Sequence, residues 1–401
     1  MGRLFGTDGV RGIANAELTP ELAFKLGEAA GHFLGDHGRG RIVVGRDTRK
    51  SGDMLEAALV AGICAGGADA QLCGVVPTPA IALLTRELAA DGGVVISASH
   101  NAAEYNGIKF FSRDGFKLPD DLEDEIEEFV LAEERDYVRP TGTGVGSVQI
   151  VCDAVERYVA HAVASVGDTR LDGLTVALDC GHGASAITSP LAFERLGATV
   201  LAINCDYDGT DINDGCGSTH PEQVATLVAE KGADFGIAHD GDADRVIGVD
   251  DTGAELDGDA IMAICGARLA EQGRLANNTI VSTVMCNLGF EIAMRERGIN
   301  VIKTKVGDRY VLEQMQTMDA TLGGEQSGHI IFLDHNTTGD GLVTALQLAA
   351  VVRETGKPVS ELRTVMTRYP QVLVNVRVAD KARLATSAAL TEAIHAEESA
   401  L

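Results

Sequence analysis

The 401 residues exceed what one ordinary hydrophobic core organises, so two to four domains of roughly 100 to 200 residues are expected. Hydrophobic residues at 45% and charged residues at 23% exclude a disordered or membrane-embedded chain. A formal charge of -26 excludes nucleic acid and acidic membrane surfaces as partners and leaves a small molecule, drawn in by a local basic pocket if it is anionic.

Aromatic residues are scarce and Trp is absent, so Ala, Val, Leu, Ile and Gly supply the apolar volume, as when helices pack on buried parallel strands. Cys64, Cys73, Cys152, Cys180, Cys205, Cys216, Cys265 and Cys286 contain no CxxC pair and lie mostly in apolar runs, the pattern of buried thiols in a reducing cytosol. The opening MGRLFGTDGVRG has no apolar h-region, and no stretch reaches the ~18 uninterrupted apolar residues of a membrane span. A cytoplasmic chain is expected.

In chain order, FGTDGVRG (5–12) reads as a flexible N-terminal turn in which Arg11 could pair with a phosphoryl group; no strand precedes it and the glycine spacing is wrong for a dinucleotide site. Thr19 and Pro20 then start a helix in which Leu22, Leu26, Ala30 and Phe33 recur at helical spacing until Gly35. RIVVG (41–45) reads as a strand, Ser51 to about Ala65 as a helix, and DAQLCGV (69–75) and GGVVISAS (92–99) as strands. That alternation predicts a parallel sheet. The acidic run from Asp120 to Glu134 carries an apolar stripe of Leu122, Ile126, Phe129 and Val130, so it reads as a helix with a solvated face. RPTGTGVGS (139–147) reads as a connector.

The rhythm resumes with LTVALD (174–179), TVLAIN (199–204) and FGIAHD (235–240), and again with TIVSTVM (279–285), INVIKTKV (299–306) and HIIFL (329–333). The expected fold is α/β: three consecutive α/β domains with mixed, largely parallel sheets, at 1–148, 149–254 and 255–367. Residues 368–401 begin a strand and a helix but are too few to bury a core alone.

Ligands of such sheets sit at the carboxyl ends of strands, and three loops there carry reactive side chains. SASHNAAEYNGIKFF (97–111) offers Ser99 as a nucleophile and Lys109 as a cation; alone, the SHN loop is equally a polar turn whose side chains bond the backbone. HDGDADR (239–245) sets Asp240, Asp242 and Asp244 at alternate positions. Carboxylates two apart on a straight strand lie about 7 Å from one another, so a loop that shares one ion must curl, as Gly241 and Ala243 permit. Oxygen-only ligands suggest Mg²⁺. An EF-hand is a poor fit, because its sixth position would be Arg245 and RVIGVD reads as a strand. Arg245 could hold a phosphate oxygen. GGEQSGHI (323–330), a glycine-flanked turn between two strands, presents Glu325, Ser327 and His329, which alternation would aim to one side for sugar hydroxyls; spacing alone favours a polar hairpin with one satisfied histidine.

Taken together and in this order, FGTDGVRG, SASHN with NGIKFF, DGDADR and GGEQSGH resemble the α-D-phosphohexomutase superfamily, and most closely its amino-sugar branch, with GRDTRKSG (45–52), GVVPTP (74–79), CGSTHPE (216–222) and KVGDRYV (305–311) in support. The resemblance implies an isomerase that interconverts glucosamine 6-phosphate and glucosamine 1-phosphate, the amino-sugar precursor of cell-wall UDP-N-acetylglucosamine. It implies a phosphorylated Ser99, with His100 against it, and one Mg²⁺ per chain on Asp240, Asp242, Asp244 and the Ser99 phosphate. Arg11 and Arg245 would steady the transferred group, Lys109 and His329 would be acid and base, and Glu325, Ser327 and His329 would bind the sugar. Glucosamine 1,6-bisphosphate is the implied intermediate, and a homodimer is compatible with the resemblance.

Three departures are visible. Ala102 and Ala243 stand where relatives often have proline and glycine. Relatives also continue into a fourth domain with an RPSGTEP-like phosphate loop, so a truncated form with weakened substrate binding is expected. The rivals are a phosphomannomutase or phosphoglucomutase, and a sugar-phosphate sensor that has lost turnover.

Overall fold

Alternating runs of β-branched residues and helix formers build three sheets in sequence, each flanked by helices, in a computed structural model. It describes residues 4–6, 8–35, 40–132, 137–374, 376–378, 383–384 and 386–399. Two units result, Met1–Arg368 and Tyr369–Leu401.

The first sheet contains β1 (Val10–Ile13), β2 (Arg41–Arg46), β3 (Asp69–Val75), β4 (Gly92–Ile96), β5 (Tyr105–Ser112) and β6 (Val148–Ile150), in the order β1-β5-β4-β2-β3-β6. Strands β2, β3, β4 and β6 pair in parallel, whereas β5 runs antiparallel to both β4 and β1. Two expectations change here. FGTDGVRG is no free turn: Val10 and Arg11 lie opposite Ile108 and Gly107, so the loop is stitched to β5. The glycine-rich stretch 139–147 leads into β6 on β3, and the chain leaves the first sheet only after Ile150.

One face of this sheet is covered by helices Pro20–Phe33 and Gly52–Ala65, which bury Leu26, Leu59 and Ile63 against Ile42, Val94 and Ile108. The helices approach so closely that a Cβ at Gly27 would collide with the Leu59 carbonyl, and one at Gly62 with that of Phe24. Thr19 caps the first helix by accepting from the Leu22 N–H, with Pro20 at its first position, as the sequence indicated. Helix Asp120–Leu131 buries Ile126 and Val130 beneath its acids, the predicted stripe; the end of the acidic run, Glu133 and Glu134, lies outside the described residues.

The second sheet, of order β11-β10-β9-β7-β8, joins β7 (Thr175–Asp179), β8 (Thr199–Ile203), β9 (Phe235–His239), β10 (Val246–Val249) and β11 (Glu255–Leu256). The third, of order β13-β12-β14-β15, joins β12 (Thr279–Thr283), β13 (Asn300–Thr304), β14 (Leu322–Gly324) and β15 (Ile330–Phe332). Both are mixed: β9–β10 and β14–β15 are antiparallel hairpins on parallel sheets. Helix Gly341–Thr355, buried from Gly341 to Val352, is the apolar pillar between them, and its core is continuous with Val43, Ile81 and Val95 of the first part. In the second unit, helix Ala388–Glu398 starts at Ser387, whose side chain accepts from the Leu390 N–H. The strand expected from Tyr369 does not form among the described residues 369–374, where every side chain is exposed; Asn375 lies outside the described residues.

No helix among the described residues is long and apolar enough to cross a membrane.

Candidate active site

β4 ends at Ile96, and the next turn is held by side-chain bonds. Ser97 Oγ donates to Asp47 Oδ2 at 2.6 Å and accepts from the Ser99 N–H at 2.9 Å. Arg49, fully buried and 2.9 Å from Asp47, donates to the carbonyls of Ser99 at 2.9 Å, Asn101 at 2.8 Å and Tyr105 at 3.0 Å. Asn213, from the second part of the chain, donates to the same Ser99 and Asn101 carbonyls at 2.9 and 3.0 Å. A loop fixed from so many sides can keep Ser99 at a φ of +53°, a conformation costly for a residue with a Cβ. The strain has an outcome: the Ser99 hydroxyl donates to Asp240 Oδ2 at 2.6 Å across 141 residues of sequence.

Asp240 opens the turn between β9 and β10. The loop does curl, through Ala243 at a φ of +53°, so the alanine found where glycine was expected takes the glycine conformation. Its Asp240 Oδ1 accepts from the Arg245 N–H at 3.1 Å, and Asp242 Oδ2 accepts from Thr78 Oγ1 at 2.6 Å. Asp240, Asp242 and Asp244 are buried, and each offers an oxygen within 4.8 Å of the others. Burial, then Asp244 and Asp242, hold the Asp240 carboxyl well above its ordinary value. Asp242 Oδ1 and Asp244 Oδ1 have no hydrogen-bond partner. Orphaned oxygens in an oxygen-only cluster fit a hard divalent cation such as Mg²⁺.

Lys109, on β5, is the cation already present. Its Nζ lies 2.9 Å from Asp242 Oδ2, 3.5 Å from Asp244 Oδ2 and 3.0 Å from Asp8 Oδ2. Burial opposes its charge, but Asp242, Asp8 and Asp244 prevail and raise its pKa, so the ammonium stays protonated. Asp8 also pairs with Arg11, which orients that guanidinium. His100 Nδ1 lies 3.3 Å from Ser99 Oγ, and burial together with Arg245 and Arg11 lowers its pKa, so the ring is neutral at pH 7. Arg245 Nε is 3.8 Å from Asp244 Oδ1 and has no hydrogen-bond partner, a donor available to an anion.

From the third sheet, the segment Glu325–Gly328 is the expected turn between β14 and β15, in which period-two alternation does not operate. Ser327 is exposed at its tip, Glu325 Oε1 accepts from the Gly307 N–H at 3.0 Å, and His329 is buried. His329 Nε2 accepts from the Gly339 N–H at 3.1 Å, which puts the ring proton on Nδ1, 3.7 Å from Asp244 Oδ2.

The geometry thus brings Ser99, His100, Lys109, Arg11, Arg245, His329 and the three aspartates to one locus, with Glu325 and Ser327 on the adjoining turn. Sequence reasoning missed Asp8, Asp47, Arg49, Thr78 and Asn213 as parts of it. Asp47 and Arg49 follow directly on a buried strand, the signal that singled out the other loops. Asn213 carried no such signal.

The chain is similar to known proteins along its length. Three family descriptions match in order: phosphoglucomutase/phosphomannomutase alpha/beta/alpha domain I over residues 2–136, domain II over 156–253 and domain III over 257–369. A phosphoglucosamine mutase of Pelotomaculum thermopropionicum is 57% identical over 399 residues, 99% of this chain and 89% of that protein. One of Clostridium novyi is 58% identical over 381 residues, 94% of this chain and 84% of that one. The crystal structure of a phosphoglucomutase/phosphomannomutase family protein of Burkholderia thailandensis superposes with a TM-score of 0.79 at 27% identity, covering 92% of this chain and 80% of that one. The chain belongs to the phosphoglucomutase/phosphomannomutase family, the α-D-phosphohexomutases, and within it to the phosphoglucosamine mutases.

Proposed function

We propose that this isomerase interconverts glucosamine 6-phosphate and glucosamine 1-phosphate by lending the sugar a phosphoryl group carried on Ser99. The observation that carries the reading is the Ser99 hydroxyl set 2.6 Å from Asp240, beside two carboxylates with orphaned oxygens.

In the forward half-reaction a sugar hydroxyl attacks the Ser99 phosphorus, the P–Oγ bond breaks, and the hydroxyl proton is taken up as the serine oxygen is reprotonated. His329 and Lys109 are the base and acid, and His100 is the neutral neighbour of Ser99. Arg245 and Arg11 hold the equatorial oxygens, and Glu325 and Ser327 meet the sugar hydroxyls. The resulting glucosamine 1,6-bisphosphate turns over in place and returns its other phosphate to Ser99. Asp240, Asp242 and Asp244 hold the Mg²⁺, which, when bound, offsets the charge of a phosphoserine dianion and disperses it during transfer. Lys109 adds positive charge beside the buried carboxylates of Asp242 and Asp244.

Coupled assays on glucosamine, mannose and glucose phosphates, side by side, test the substrate. The highest kcat/KM is expected on the amino sugar; faster turnover of an unaminated sugar contradicts the assignment, and tight binding without turnover of any would identify a sensor.

The acidic cluster gives a readout independent of turnover. Mg²⁺ at a hundredfold excess over its Kd is expected to stabilise the fold by about 2.7 kcal/mol, seen as a raised thermal midpoint. Asp242→Asn should remove that response. A response that survives it would place the ion elsewhere.

A further inference from the structure

Apart from the reacting groups, two segments distant in sequence meet with matched charge. The chain leaving β5 turns through Gly115, at a φ of +75°, and presents Phe116 and Lys117. Phe116 packs against the buried cluster to which helix Asp308–Met318 contributes Val311, Leu312 and Met315 and β15 contributes Ile331. Lys117 Nζ lies 2.6 Å from Asp8 Oδ1 and pairs with Asp308, the first residue of that helix. The next residue reaches back: Arg309 donates to the Leu118 carbonyl at 3.1 Å, lies 3.0 Å from Glu123 and pairs with Asp120. A cation beside two acids on one side therefore faces an acid beside a cation on the other. Exposures of 12% for Lys117, 16% for Asp308 and 17% for Arg309 show that these groups are largely withdrawn from water.

The joint leads into the site in both directions. On the first sheet, β5 carries Lys109, and Asp8 bridges Lys109 at 3.0 Å to Lys117 at 2.6 Å. On the third, Gly307 adopts a φ of +129° that glycine accommodates, and from there its N–H reaches Glu325, while Asp308 Oδ2 lies 3.5 Å from His329 Nε2. Lys117, Asp8, Lys109 and Asp244 alternate in sign from one segment to the other, with His329 Nδ1 beside Asp244 at one end and Asp308 paired to Lys117 at the other.

We propose that Lys117, Asp308 and Arg309 form a latch that locks the β5 hairpin to the third sheet and so sets the separation between Lys109 and the Glu325–His329 turn. They are positioning residues, acting through Lys109, Glu325 and His329. The kinetic consequence rests on the phosphoryl-transfer reading above; the structural one does not. Misplacement of reacting groups by about 1 Å can cost ~10²-fold in rate, whereas sugar binding senses it less.

Arg309→Gln is the discriminating variant, because the Arg309 guanidinium reaches Leu118, Asp120 and Glu123, which are not among the groups assigned to phosphoryl transfer. It is expected to lower kcat by about 3–10-fold, and Lys117→Met by about 10–100-fold, with KM for glucosamine 6-phosphate within about threefold of the parent. Lys117→Arg should restore most of the loss, and the Lys117→Met/Arg309→Gln pair should resemble Lys117→Met alone, since one open latch cannot open twice. Amide hydrogen exchange should quicken at 305–310 and 323–330 in both variants and stay unchanged at 235–249. Variants that are fully folded at the assay temperature overturn the latch if their kcat stays within about twofold of the parent, or if exchange at 305–310 and 323–330 does not change. A parent chain that turns over no hexosamine phosphate would defeat the catalytic reading alone, and the exchange comparison would still decide the latch.

Discussion

Replacing Ser99 with alanine is expected to lower kcat by about 10⁴-fold or more, because the proposed route carries the phosphoryl group on the Ser99 oxygen between the two sugar positions. Removal of a nucleophile that makes a covalent intermediate leaves binding and electrostatics but no route. The fold should tolerate the change: the lost bond to Asp240 is worth about 1 kcal/mol, and Ser97, Arg49 and Asn213 still hold the loop. Turnover in the coupled assay and the thermal midpoint check the two halves separately. A Ser99→Ala protein with kcat within tenfold of the parent would be incompatible with a phosphoserine route.

Lys109→Met should be nearly as damaging to turnover and far worse for the fold. Loss of a positioned acid costs about 10²–10⁴-fold in kcat. Lys109 is also the cation shared by Asp8, Asp242 and Asp244, all within 3.5 Å. Removing one partner of a buried ion pair leaves uncompensated charge and costs about 3–5 kcal/mol. Denaturant unfolding checks the second figure, and added Mg²⁺ should recover part of the stability, since it supplies positive charge to two of the three stranded carboxylates. A Lys109→Met chain as stable as the parent in the absence of metal would mean that the aspartates do not carry the charge assigned to them.

The sequence was readable where chemistry is local. Strands such as Arg41–Arg46 and Gly92–Ile96 are short apolar runs closed by polar turns; Ser99 lies in the turn after Gly92–Ile96 and Asp240 directly follows Phe235–His239, where an α/β sheet exposes its ligand face. It was unreadable where pairing is distant. Val10–Ile13 is a four-residue strand containing a glycine, with little propensity of its own, and it exists because β5 offers it a partner. The turn at Glu325–Gly328 was legible from its flanking glycines, but the common side-chain direction expected from alternation was not, because Gly328 at a φ of +90° departs from extended backbone. The Lys117–Asp308 pair spans 191 positions, and no local pattern announces which lysine meets which aspartate.

Intact mass followed by peptide mapping tests the central claim most directly. The purified protein, after incubation with glucosamine 1,6-bisphosphate carrying radiolabelled phosphate, should gain one phosphate-sized increment that maps to Ser99, and once freed of bisphosphate it should pass that label into the hexosamine phosphates when glucosamine 6-phosphate is added. An increment on another residue, or a label that stays on the protein while glucosamine 6-phosphate is turned over, would contradict a phosphoryl group passing through Ser99.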